Sequence, residues 1–139
     1  WTQREFRNLM KARLEGVRVP TPMTFLHNII VMEHIGKPLA APQLKDKYPS
    51  DPQRCFEKIV TYMKLLWQAG LVHGDLSKFN ILIDNDEPVF IDFSQGLSKE
   101  SMRSREYLER DVANVAFFFS KLGVEADKDM VLAKVLGKV

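Results

Sequence analysis

The segment that leaves this chain the fewest folds is His73-Gly74-Asp75-Leu76-Ser77-Lys78-Phe79-Asn80, a polar stretch set between two strongly patterned regions. Upstream, Asp51-Pro52 reads as a helix start: an oxygen-bearing cap, then a proline where a first helical position needs no N–H. Phe56, Ile59, Val60, Met63, Leu66 and Trp67 recur at helical spacing and predict one buried stripe running to Ala69, with Gly70 as the stop. Downstream, the apolar runs Ile81 to Ile83 and Val89 to Phe93 flank Asp84-Asn85-Asp86, residues suited to a tight turn, and predict a β-hairpin. The polar stretch therefore links a helix to a hairpin. Asn80 enters the first strand and Asp92 leaves the second, so both can face one cavity.

The remaining chain patterns as short elements of both kinds. Phe6, Leu9, Met10 and Leu14 share a helical face over Trp1 to Leu14, and Gly16 supplies a stop. Pro20 and Pro22 hold an extended link. Met23 to Leu26 and Ile29 to Met32 then predict a hairpin turning at His27-Asn28. A Pro-bearing loop runs from Gly36 to Ser50. A long amphipathic helix is predicted over Arg103 to Leu122, with Tyr107, Leu108, Val112, Val115, Phe118, Phe119 and Leu122 inward, and a last helix over Asp127 to Leu136.

Composition narrows the class. With 45% hydrophobic and 27% charged residues, 139 residues can bury one core. A net charge of +2, with Lys and Arg dispersed, gives no direct nucleic-acid motif. No apolar run is long enough to span a membrane. Cys55 is the sole cysteine and reads as a buried structural thiol, consistent with a reducing, cytoplasmic setting. The chain begins at Trp1, without an initiator Met and already inside a predicted helix, and reads as a fragment.

Asp75, Asn80 five residues on and Asp92 twelve beyond that are the set that phosphoryl transfer requires. One carboxylate accepts the proton of an attacking hydroxyl. An amide oxygen and a second carboxylate hold magnesium, a hard ion that needs few protein ligands. A rigid hairpin fixes two such ligands better than two loose loops. Singly, each residue also reads as a turn former or a cap. Jointly, their order is that of the protein-kinase catalytic signature. His73 reads as a brace for the loop backbone rather than an acid–base group.

The string His73-Gly74-Asp75-Leu76-Ser77, then Phe79-Asn80-Ile81-Leu82 and Ile91-Asp92-Phe93-Ser94-Gln95, resembles the RIO family of atypical protein kinases. The likeness extends outward. Trp1 to Leu9 resembles the family's helix before the hinge, Val31-Met32-Glu33-His34-Ile35-Gly36 its hinge, and Arg110-Asp111-Val112-Ala113-Asn114-Val115 with three following phenylalanines the helix after the metal hairpin. Ala41-Pro42-Gln43-Leu44-Lys45 points to the first, type 1, subfamily.

The resemblance implies an α+β, protein-kinase-like fold. Residues 1–35 would be a remnant of the N-terminal lobe, and residues 36–139 the C-terminal catalytic lobe. It implies Asp75 as catalytic base and Asn80 and Asp92 as ligands of Mg2+, with Mn2+ as a substitute. Asp92 is also implied as a transient phosphate acceptor giving ATPase behaviour. Glu5 would pair with the nucleotide-binding lysine. Backbone groups of Glu33 and Ile35 would hold the adenine of ATP, Leu82 and Ile91 would line its pocket, and Met32 would guard the back. Asp111 either anchors the catalytic-loop backbone or faces solvent. The implied partners are a protein serine substrate, the chain itself included, and the pre-ribosomal small subunit, in ribosome biogenesis.

Departures from ordinary kinases fit the RIO pattern: Gly74 stands where they carry Arg, Asp92-Phe93-Ser94 replaces Asp-Phe-Gly, and no Ala-Pro-Glu motif follows. Activation-loop phosphorylation is therefore not expected as a control. Lys78 departs from the RIO pattern, where an acidic residue is expected. The 139 residues hold neither a Gly-rich phosphate loop nor the strand lysine, so the fragment alone is expected to be inactive. Two other readings use the same residues. One is a small-molecule kinase of the aminoglycoside or choline type, which the short connection after Asp92 disfavours. The other is a non-catalytic ribosome-docking module.

Overall fold

The computed structural model describes residues 2–139. Its elements are α1 (Thr2–Leu14), β1 (Pro22–Leu26), β2 (Ile29–Met32), α2 (Pro52–Gln68), β3 (Leu71–Val72), β4 (Ile81–Asp84), β5 (Glu87–Phe90), β6 (Leu97–Ser98), α3 (Ser104–Ser120) and α4 (Lys128–Val135). The strands form three separate antiparallel pairs, β1–β2, β3–β6 and β4–β5. The architecture is α+β.

α2 is the central helix. Asp51 caps it by accepting the Arg54 N–H at 3.1 Å, and Pro52 occupies the first turn. Its buried stripe is wider than predicted: Cys55 and Tyr62 join Phe56, Ile59, Val60, Met63 and Leu66, while Trp67 is only half-buried, with Lys99 Nζ 4.6 Å from its ring centre. A width of more than a third of the helix follows from its having neighbours on several sides, since α3, α4, β3 and β5 all pack on it. Burial pushes the Cys55 thiol up to about 12, so it remains protonated at neutral pH.

α1 packs chiefly on β1, with Leu9 and Ala12 buried and the Phe6 ring tilted against that of Phe25, centres 5.1 Å apart. It ends in a paired turn: Gly16 N–H donates to Arg13 O and Val17 N–H to Ala12 O, both at 3.0 Å, with Gly16 at φ +90°. The predicted inward Leu14 is instead 80% exposed. It lies in the last turn, where the chain already swings away, and Ala12 takes the buried position. Trp1, the predicted first residue of this helix, lies outside the described residues.

The hairpin β4–β5 pairs Ile81 with Phe90 and Asp84 with Glu87. Its turn is two residues, Asn85 and Asp86, at φ +50° and +66°, the left-handed conformation that a tight hairpin needs and Asn and Asp tolerate. The predicted second strand ran to Phe93; it stops at Phe90, because Asp92 turns to φ +61° and leaves the ladder. β6 was not predicted. Two residues long, it shows no periodicity, and it is set by pairing with β3.

Candidate active site

The loop from His73 to Asn80 is gripped by one turn and a half of α3. Asp111, 1% exposed, accepts the Gly74 N–H at Oδ2 and the Leu76 N–H at Oδ1, both at 2.9 Å. Arg110 donates to Gly74 O at 3.2 Å, and Asn114 Nδ2 donates to Leu76 O at 3.3 Å. Four backbone groups on either side of Asp75 are thus satisfied by three side chains of a single helix. Burial raises the Asp111 carboxyl to about 7, against the pull of its two N–H donors. Of the two positions open to Asp111 from sequence, the anchoring one is observed. Arg110 and Asn114 were not singled out as ligands of the loop; their signals were polar character near Asp111 and a place in the segment that resembles the family's helix.

Gly74 is required by this grip. Its φ is +90°, and a Cβ there would run into the Gln95 carbonyl oxygen. Leu76 is fully buried beneath the loop while Asp75 is exposed. His73, 2% exposed, spans from the loop to the hairpin: Nδ1 accepts the Asp75 N–H at 3.1 Å, which leaves the proton on Nε2 to donate to Ile91 O at 2.8 Å. Its ring lies 4.6 Å from that of Phe93. Burial lowers its pKa, keeping the ring neutral. The bracing role is the one observed.

Asn80 is placed beside Asp75. Its Nδ2 donates to Asp75 O at 2.8 Å and to Asp75 Oδ2 at 3.2 Å. With both amide hydrogens engaged, the amide oxygen is the group left to face outward. Across the open end of the hairpin, Ile91 N–H donates to Asn80 O at 3.0 Å, which sets Asp92 next to Asn80. Asp92 Oδ1 accepts from Ser94 N at 3.2 Å and Ser94 Oγ at 2.6 Å, leaving Oδ2 free. Phe93 is buried to 1% exposure and anchors the turn. Ser94 was not marked as a site residue by sequence.

Glu5 of α1 approaches this corner. Burial, and after it the charge of Asp92, raise the Glu5 carboxyl, while the Phe93 N–H lowers it. The hinge segment is fixed by Glu33, whose carboxylate meets Arg18 in a bidentate pair at 2.9 and 3.0 Å and accepts Thr21 N and Oγ at 3.0 Å. Arg18 holds that carboxyl down at about 2. Glu33 N–H is committed to Thr21 O and Ile35 O to Ala41 N–H. Among the described residues, Glu33 O and Ile35 N–H make no hydrogen bond, so the hinge presents one acceptor and one donor. Leu82 and Ile91 are half-buried and Met32 is 37% exposed. Lys78 is exposed, its Nζ 5.6 Å from the Phe79 ring centre. Arg18 and Thr21 carried no sequence signal beyond their residue type.

The donor set suits a hard cation. Among the described residues the Asn80 amide oxygen and Asp92 Oδ2 accept no hydrogen bond, and no group of three His, Cys, Asp or Glu side chains is arranged for a metal. Two protein oxygens with water and phosphate completing the shell is a magnesium pattern rather than a zinc one.

The RIO domain model, RIO1, matches residues 1–131. The chain belongs to the RIO family, type 1. The RIO-type serine/threonine-protein kinase Rio1 of Haloferax volcanii is 41% identical over 99% of this chain and 48% of its own length. The serine/threonine-protein kinase RIO1 of Saccharomyces cerevisiae is 36% identical over 95% of this chain and 29% of its own. Among solved structures, the Rio2 kinase–ADP/Mg2+–phosphoaspartate complex from Chaetomium thermophilum superimposes with a TM-score of 0.74 at 27% identity, covering 86% of this chain and 38% of that one. The fold is thus the protein-kinase-like α+β fold of RIO kinases. The chain spans about half the length of the Rio1 kinases of Haloferax volcanii and Methanocaldococcus jannaschii. No helix among the described residues is long and apolar enough to cross a membrane.

Proposed function

We propose that this RIO chain carries the catalytic centre of a magnesium-dependent phosphotransferase that moves the γ-phosphoryl group of ATP to a protein serine, itself included, or to water. The observation that carries the reading is the pair of hydrogen bonds from Asn80 Nδ2 to Asp75, which ties these two side chains together and leaves the Asn80 oxygen uncommitted, as Asp92 Oδ2 also is. Asp75 takes the proton of the serine hydroxyl as its oxygen attacks the γ-phosphorus and ADP leaves. Asn80 and Asp92 hold magnesium, which neutralises phosphate charge when bound. In the ATPase branch an Asp92 oxygen accepts the phosphoryl group and water later releases it; the phosphoaspartate held by the Rio2 neighbour supports an aspartate acceptor.

Residues 1–35 serve as the last helix and hairpin of the nucleotide-covering lobe, and residues 36–139 as the catalytic lobe. The free Glu33 carbonyl and Ile35 N–H read the adenine edge, over Leu82 and Ile91, with Met32 at the back. Glu5 pairs with a lysine of the covering lobe, which would relieve its position beside Asp92. The 139 residues include no Gly-rich loop or such lysine, so this span by itself binds ATP weakly and turns over slowly. The connection from Phe93 to Ser104 holds only the two-residue β6, which favours a protein acceptor over an inserted small-molecule pocket. The family likeness supports a cytoplasmic protein that acts on the maturing small ribosomal subunit.

The test is phosphate release from MgATP by the full-length protein and its Asp75→Ala and Asp92→Ala variants, with protein and small-molecule acceptors offered in parallel. Turnover retained in both variants would remove these residues from the mechanism.

A further inference from the structure

On the side of α1 away from its contact with β1 lies a cavity of about 450 Å³, between that helix and the β3–β6 pair. Arg4, Arg7 and Lys11 line one wall at successive turns of α1, with Asn8 between them; Ser98 and Ser101 line the other. No Asp or Glu is among its lining residues. Elsewhere the arginines Arg18, Arg54, Arg103 and Arg105 each meet a carboxylate. Among the described residues, Arg4, Arg7 and Lys11 have no ion pair and their side chains make no hydrogen bond. Cations three and four apart on a helix repel one another, so the fold carries an unfavourable charge row at this position.

The opposite wall adds donors. Ser98 Oγ accepts the Glu100 N–H at 3.2 Å and Ser101 Oγ accepts the Arg103 N–H at 3.4 Å, so each hydroxyl keeps its own hydrogen to give. Asn8 closes the end of the groove near the backbone; a Cβ placed on Gly96 would come within 2.7 Å of its Nδ2. Three cations, two hydroxyls and an amide therefore face one space with no competing anion. Two of the cations are guanidinium forks, which match the oxygens of a phosphate.

We propose that this groove is a binding site for a terminal phosphate group, either the monoester of a phosphoserine side chain or free phosphate. A monoester carries close to two charges at neutral pH where a diester carries one, and walls from α1, from the turn into β3 and from β6 with its following turn make a cup rather than an open track for a nucleic-acid backbone. The occupant bridges α1 to β6. Because α1 also carries Glu5, beside Asp92, occupancy fixes Glu5 relative to the catalytic hairpin; this last consequence alone rests on the function proposed above.

The test is calorimetric titration of the full chain, free of nucleotide and metal, with inorganic phosphate, a phosphoserine peptide, its unphosphorylated twin and a single-stranded oligonucleotide. Binding of phosphate and phosphopeptide but not of the unphosphorylated twin is expected, strengthening from pH 5.5 to 7.5 as the monoester loses its second proton near pH 6. Tighter binding of the phosphopeptide assigns the site to a protein ligand; equal affinities assign it to free phosphate. Arg7→Ala with Lys11→Ala should weaken both at least tenfold while Asp92→Asn leaves them unchanged, which separates this groove from the catalytic site. Arg7→Lys, which keeps the charge, should retain most of the affinity and guards against a folding defect in the double variant. Unchanged affinity in the double variant, or an oligonucleotide bound more tightly than the phosphopeptide, overturns the proposal.

Discussion

His73 joins Asp75 to Ile91: its Nδ1 accepts the Asp75 N–H at 3.1 Å and its Nε2–H reaches Ile91 O at 2.8 Å. One ring thereby sets the distance between the loop that carries Asp75 and the strand end that carries Asp92. Replacing it with phenylalanine keeps the packing on Phe90 and Phe93 but strands both backbone groups. His73→Phe should cost about 1–3 kcal/mol in denaturant unfolding and reduce turnover more than nucleotide affinity.

The acid response of His73 has a definite sign. Its folded pKa lies below the ordinary imidazole value, so below about pH 6.5 the unfolded chain binds a proton that the folded one refuses. Acidification from pH 7 to 5 therefore removes stability through this group. Asp111 acts oppositely: raised to about 7, it holds a proton in the folded state that the unfolded chain gives up, and its contribution fades as pH rises through that value. Asp111→Asn deletes the second effect, so its stability should climb more steeply between pH 5 and 7 than that of the parent. It also leaves one loop N–H without an acceptor, at about 1–3 kcal/mol. Thermal melts across that range measure both.

Gly74→Ala is expected to be the most damaging single methyl group in the loop. The left-handed backbone costs an alanine about 1–2 kcal/mol, and the new carbon meets the Gln95 carbonyl. A melting temperature lower by about 5–10 °C with loss of phosphate release is the expected result.

Arg18→Ala should loosen the hinge without unfolding the chain. The pair with Glu33 is about a third exposed on both sides, so its removal should cost about 1 kcal/mol or less, while ADP affinity falls several-fold. The Glu33 carboxyl is depressed, so the stability it brings is present above its unfolded pKa near 4.5 and is lost as pH falls toward 2. The difference between parent and variant should shrink over that interval.

What could be read from residues alone was whatever had a period or a stereochemical demand. The Asp51-Pro52 start, the α2 stripe and the Asn85-Asp86 turn each follow from local rules, and all three appear in the fold. That Asn80 and Asp92 flank the two ends of one hairpin was legible because a short hairpin leaves little freedom in how its ends meet. Elements set by tertiary partners were not legible. β6 exists only through β3, and the early end of β5 comes from the left-handed Asp92. The Arg110–Asn114 grip is invisible to helical periodicity, because both residues are exposed and a polar residue at the surface names no partner. Arg18, alone in a loop, gave no hint of its pairing with Glu33.

Cys55 sits on the inner face of α2, the helix that α3, α4, β3 and β5 share. As the chain's single thiol, held protonated and out of reach of solvent, it can react with an alkylating reagent only when that shared helix parts from its neighbours. The rate of its modification therefore counts excursions of the protein's interior without any added label.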